Sequence, residues 1–187
     1  MKILFLDIDG VLNSAKFIQF SDWTKADRES INEKIFGKPD GDFGYYAADI
    51  DVEALRRLRL VCSCHPDLKI VISSSWRQLM QYWEISKIFS YLGWKNPPII
   101  GQTPNLDRRH ISPEGNEPVL RGHEIQYWLD HACVDMVKDK RIIEPATFKY
   151  VILDDDSDFL EGQPLVKTSW ETGLLPEHLP LIDKVLQ

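Results

Sequence analysis

Apolar residues in this chain fall in short blocks separated by amphipathic stretches. Ile3 to Leu6 is an apolar run closed by Asp7, Asp9 and Gly10, which predicts a buried strand ending in a sharp turn. A second block, Leu68 to Ile72, follows the break at His65-Pro66-Asp67 and ends in Ser73-Ser74-Ser75. A third, Tyr150 to Leu153, is stopped by Asp154-Asp155-Asp156. Shorter blocks at Pro97 to Gly101 and Leu165 to Lys167 predict two more strands. Between them, Val52, Leu55, Leu58 and Val61 recur at helical spacing, with Asp51 placed to cap the start. Arg77 to Leu92, Gly122 to Lys138 and Leu179 to Leu186 repeat that period. In the middle one, Ile125, Trp128, Leu129 and Ala132 share a face. Strands alternating with helices predict an α/β architecture, a parallel sheet with helices on both faces.

Residues 14–50 break the alternation. They mix aromatics, charges and glycines, with Gly37-Lys38-Pro39-Asp40-Gly41 as a loop. This stretch is expected to be a small cap-like insertion after the first strand, part helix and part loop. Its aromatics (Phe17, Phe20, Trp23, Phe36, Phe43, Tyr45, Tyr46) are expected to form a small core, with a substrate mouth as the alternative. Trp76 and Trp83 are expected in the main core. Thr103 to Pro118 is polar and rich in Pro, Gly and Asn, so it is expected to be a loop.

The 187 residues suit one domain, residues 1–187, with that insertion inside it. A net charge of -7 argues against a broad basic surface tracking a nucleic-acid backbone, but leaves room for a local basic cleft. Three cysteines (Cys62, Cys64, Cys133) make no disulfide framework and are expected to be buried or half-buried thiols. No apolar run reaches membrane-spanning length, and the first one stops at Asp7, too soon for a signal peptide. A cytoplasmic protein with no membrane contact and no obligate protein partner is the expectation.

The chemistry gathers where the strands end. In an open α/β sheet, ligands sit beyond the carboxyl ends of the strands. There Asp7 and Asp9, Ser73 and Ser74, and Asp154, Asp155 and Asp158 would converge. Carboxylates brought together in a cleft repel one another. A hard divalent cation resolves that repulsion, and Mg2+ prefers carboxylate oxygen, water and phosphate. A strand-end Asp can attack phosphorus, and a second carboxylate can protonate the leaving group and then activate water. Hydroxyls and cations hold the phosphoryl oxygens.

Asp7-Ile8-Asp9-Gly10-Val11-Leu12-Asn13 resembles the first motif of phosphatases of the haloacid dehalogenase (HAD) superfamily. Ile70-Val71-Ile72-Ser73 resembles the second motif and Leu153 to Asp158 the fourth; Arg121 stands where the family places a Lys or Arg. Ser73-Ser74-Ser75-Trp76-Arg77 and Arg121-Gly122-His123-Glu124-Ile125 are similar to HAD domains of polynucleotide-end and RNA-repair phosphatases. The resemblance implies a HAD-like Rossmannoid three-layer sandwich. It implies Asp7 as nucleophile, Asp9 as general acid/base, and Ser73 and Arg121 on the phosphoryl group, with Gly10 and Ser74 at the substrate. It implies Mg2+ held by Asp7, Asp9 (through its backbone carbonyl in many members), Asp154, and Asp155 or Asp158. Ser74 competes with Ser73 for the second motif, and Arg108 or Arg109 with Arg121 for the third. The expected activity is a phosphomonoesterase, its substrate a nucleotide or nucleic-acid end. A small-metabolite phosphatase or a non-catalytic binding module of the same fold is the alternative.

Overall fold

The structure is a computed structural model that describes residues 1–38, 43–107, 118–138 and 148–187, with side chains of the long helix described as far as His131. Five parallel strands form one sheet in the order β3-β2-β1-β4-β5: β1 (Lys2–Leu6), β2 (Leu68–Ile72), β3 (Ile99–Gln102), β4 (Lys149–Asp154) and β5 (Leu165–Lys167). The central strand is buried on both faces, so it reads as a continuous apolar run and not as an alternation.

Strand periodicity sorts that run between two layers. Leu4 and Leu6, with Ile70, Ile72, Val151 and Leu153, face a large core. It is completed by α4 (Val52–Cys64), α5 (Tyr82–Tyr91) and α7 (Leu179–Leu186). Ile3, Phe5, Val71 and Ile152 face the other way, onto α6 (Arg121–Lys138). There the Phe5 and Trp128 rings meet edge-on, 5.5 Å apart. The result is the expected three-layer arrangement.

Asp51 caps α4 by accepting the Glu53 N–H, as its position suggested. The helix expected from Arg77 starts later. Ser75–Gln78 is a single 3-10 turn, and α5 begins only after Gln81, whose N–H is accepted by the Glu84 carboxylate. The turn costs the helix its first residues but aims Ser75 and Trp76 at Asp9.

Residues 14–50 hold three helices, α1 (Ala15–Gln19), α2 (Lys25–Phe36) and α3 (Phe43–Asp49). Their apolar residues do not form a separate core: Ile31, Ala47 and Ala48 are buried in the main one. Phe36 stacks obliquely on Phe43, and Tyr46 meets Trp76 edge-on. Phe20 and Trp23 stay exposed, as does Trp83, which the expectation had placed in the core. Cys64 is likewise exposed, while Cys62 is half-buried. Arg108, Arg109 and most of the loop containing them lie outside the described residues, as does Pro39-Asp40-Gly41.

Candidate active site

Parallel pairing in register brings the ends of β1, β2 and β4 to one edge of the sheet: Leu6 pairs with Ile72 on one side and Leu153 on the other. The next residue of each strand is Asp7, Ser73 or Asp154. Asp7 N–H still donates to Leu153 O, and Ser73 N–H to Leu6 O, so the ladder runs directly into the site and holds it rigidly.

Asp7, Asp154 and Asp155 each offer an oxygen within 4.8 Å of the others. Asp7 is nearly buried and Asp154 fully so. Burial and the neighbouring carboxylates hold both acids above their ordinary 3.8. Asp7 is raised to about 6 by desolvation, partly offset by Arg121 and the Ser74 hydroxyl. Asp154 is raised to about 7 by desolvation and by Asp7. Asp155 is raised as well, chiefly by burial. Asp154 Oδ1 accepts the Asp156 N–H, while its buried Oδ2 has no hydrogen-bond partner.

Gly10 explains itself by contact. It sits at φ +68, and a Cβ there would fall 2.2 Å from Asp155 Cγ. The turn after β1 therefore needs glycine twice over, for its left-handed backbone and for room beside an acidic side chain. Thr168, buried at the end of β5, donates to Gly10 O at 2.7 Å and locks that turn in place.

Asp9 stands apart from the acidic group. Its Oδ1 accepts from Asn13 Nδ2 at 2.8 Å and Trp76 Nε1 at 3.0 Å, and its Oδ2 accepts from the Ser75 hydroxyl at 3.0 Å. Asn13 is itself fixed by accepting the Gly10 N–H at 3.0 Å.

Among the described residues, Arg121, at the first turn of α6, is the cation that reaches the acidic group. Its Nη1 lies 3.5 Å from Asp7 Oδ1 and 3.8 Å from Asp154 Oδ2, and it donates to Ser73 O. Burial alone would lower its pKa; Asp7, Asp154, Asp158 and Glu124 together raise it. Asp158, the alternative to Asp155 as a metal ligand, is not one of the three clustered carboxylates: its Oδ2 accepts Arg121 N–H at 3.0 Å, at the start of α6, and its buried Oδ1 has no hydrogen-bond partner. Of the serines, Ser73 has a buried hydroxyl without a partner, and Ser74 has a buried hydroxyl beside Asp7 that also accepts Trp76 N–H.

A family model described as the HAD domain in Swiss Army Knife RNA repair proteins matches residues 3–179. The chain belongs to this HAD family. Comparisons with curated proteins and with solved structures return no match. The five-stranded parallel sheet flanked by helices is the HAD Rossmannoid fold, and membership supports HAD-type phosphohydrolase chemistry.

HAD domains generally use a divalent metal, and the buried carboxylates fit one. They offer hard oxygen donors, they repel one another, and one buried oxygen, Asp154 Oδ2, lacks a partner. No helix among the described residues is long and apolar enough to cross a membrane.

Sequence reasoning missed three features of this HAD site. The Ser75 and Trp76 contacts to Asp9 depend on the 3-10 turn. Thr168 arrives from the far edge of the sheet. The third is a buried ion pair: Arg77 donates to Glu124 and, at 2.6 Å, to Ser74 O, tying the second motif to α6. Glu124 also accepts the Leu106 N–H at 3.1 Å. The Trp-Arg and Gly-His-Glu segments carried that signal only as a resemblance.

Proposed function

We propose that this HAD protein is a Mg2+-dependent phosphomonoesterase that forms an aspartyl-phosphate on Asp7, with a nucleotide or a nucleic-acid end as its substrate. The observation that carries the reading is Asp7 itself. It is a nearly buried strand-end carboxylate, beside two further carboxylates and one guanidinium.

Asp7, Asp154 and Asp155 would hold the cation, which when bound offsets the charge of the phosphoryl group and the carboxylates. Asp7 Oδ1 accepts the Ile8 N–H at 2.8 Å, which fixes the plane of the carboxylate before attack. A carboxylate oxygen of Asp7 attacks phosphorus, and the bond from phosphorus to the leaving oxygen breaks. Asp9 gives that oxygen a proton. Asp9 then takes a proton from water, the water oxygen attacks phosphorus, and phosphate leaves with Asp7 restored. Arg121 and the Ser74 hydroxyl stabilise the spread charge of the phosphoryl oxygens. Ser74 takes this role ahead of Ser73 because its hydroxyl already lies against Asp7.

The contacts of Asp9 favour one of its oxygens as the one that carries the proton. Oδ1 faces two nitrogen donors that can only donate. Oδ2 faces the Ser75 hydroxyl, which can turn round and accept. Oδ2 is therefore the acid/base atom.

The test is phosphate release from an aryl phosphate, nucleotides, sugar phosphates and oligonucleotides with terminal phosphates, with Mg2+ and with EDTA. Mg2+-dependent release, best on nucleotides or oligonucleotides, is the expected result. Preference for sugar phosphates would replace the substrate assignment with a small metabolite. No release from any substrate by folded, metal-bound protein would favour a binding module.

A further inference from the structure

A cavity of about 200 Å³ opens beside the catalytic carboxylates, walled in part by Ser75, Gln78, Asn105 and Arg121. Two of these residues connect it to the reaction centre, since Ser75 donates to Asp9 and Arg121 reaches Asp7. A second cavity, of about 380 Å³, lies between the exit of β3 and the flank of α6. Arg77 and Asn105 wall both cavities, so the two form one trough leading away from Asp9. The shared wall is fixed, because the Arg77 guanidinium is bound to Glu124 and to Ser74 O.

The chemistry of the trough changes along its length. Its near part offers a hydroxyl and two neutral amides (Ser75, Gln78, Asn105) that hydrogen-bond a sugar, beside the Arg77 and Arg121 guanidiniums and the Glu124 and Asp158 carboxylates. Its far part carries the rings of Tyr127, Trp128 and His131. Trp128, half-buried, makes no hydrogen bond through its indole N–H to any described residue, which leaves that N–H open to an acceptor. The Tyr127 and His131 rings stack on each other at 3.6 Å, and this pair together with the unpaired Trp128 N–H suits a flat heteroaromatic ring bearing acceptors. The far cavity also falls within the size range of small-molecule sites. Trp128 lies seven residues after Arg121 on the same helix, about 10 Å along its axis.

We propose that this trough holds the terminal nucleotide bearing the scissile phosphate, its sugar against Ser75 and Asn105 and its base in the aromatic cavity beside Trp128 and His131. The inference rests on the nucleic-acid-end reading above and adds that the site reads the terminal base, not the phosphate alone.

Two oligoribonucleotides test it, one with the terminal phosphate on a base-bearing nucleotide and one with it on an abasic sugar. They are compared on wild type, His131→Ala and Trp128→Phe, with an aryl phosphate as control. Wild type should prefer the base-bearing end by about tenfold or more in kcat/KM, in line with base–aromatic stacking. His131→Ala should lose most of that preference through KM and keep its rate on the aryl phosphate. Trp128→Phe keeps an aromatic ring against Phe5 but removes the N–H and the second ring of the indole, so it should lose part of the preference. Equal use of both oligonucleotides by wild type would overturn the base pocket and leave the phosphatase reading standing. So would a preference that survives in both variants. Hydrolysis of the aryl phosphate but of neither oligonucleotide would overturn the nucleic-acid reading and the pocket with it.

Discussion

Asp154→Asn should stabilise the metal-free protein at alkaline pH and abolish its response to Mg2+. Asp7, Asp154 and Asp155 lie within 4.8 Å of one another with one guanidinium among them. Two unit charges at that separation repel by about 3 kcal/mol at an effective dielectric of 20. Asp154 is accordingly held near 7 in the fold, against 3.8 for an ordinary Asp. Ionising it in the folded protein costs on the order of 4 kcal/mol more than in the unfolded chain. The sign follows from which state holds the proton. Between about pH 4 and 7 the folded state binds more protons, so stability falls as pH rises through that window and the full cost is present above it. Asparagine resembles the neutral acid and keeps an oxygen for the Asp156 N–H. Allowing for the coupled ionisation of Asp7, the variant should gain about 2–4 kcal/mol at pH 8 in EDTA, and little at pH 4. Urea unfolding at both pH values measures this. Saturating Mg2+ should then reverse the order, because a ligand at a thousand times its Kd stabilises the wild type by about 4.1 kcal/mol. The reasoning is refuted if Asp154→Asn is less stable than wild type in EDTA at pH 8, or if Mg2+ stabilises both proteins equally.

Gly10→Ala should lose activity and about 1–3 kcal/mol of stability, because the left-handed backbone and the Asp155 carboxylate both oppose a side chain; urea unfolding and phosphate release check it. Ser75→Ala should lower kcat while leaving KM for an aryl phosphate unchanged, since Ser75 is the described neighbour that can accept from a protonated Oδ2. An unchanged kcat would remove Ser75 from the proton path. Glu124→Gln should cost about 3–5 kcal/mol by leaving the Arg77 guanidinium buried without its carboxylate. The double variant Arg77→Met, Glu124→Leu should recover most of that loss in the same unfolding assay.

The strands of this fold were legible because each is an apolar run stopped by the residue type that its end requires. Asp7, Ser73 and Asp154 could be aligned from sequence because parallel strands in register end together. The acidic group was legible by the same argument, but the choice between Asp155 and Asp158 was not. Asp158 lies only four residues after Asp154, yet the fold places its carboxylate at the N-terminus of α6. Helix periodicity carried Arg77 into α5, whereas the buried pairing with Glu124 and the Ser74 carbonyl holds it in a separate turn. Trp83 has the same composition signal as Trp76 and the opposite fate, one exposed and the other buried against Tyr46. Apolarity told where a side chain was able to be buried, and long-range packing decided which one was.

The central claim is that Asp7 carries the phosphoryl group. Wild type and Asp7→Asn should be mixed with labelled substrate and Mg2+, quenched in acid within one turnover, and mapped by peptide mass spectrometry. The account predicts a phosphorylated peptide containing Asp7 in the wild type, absent from Asp7→Asn together with turnover. Phosphate release at the wild-type rate by Asp7→Asn, or label trapped on any other residue, would contradict it.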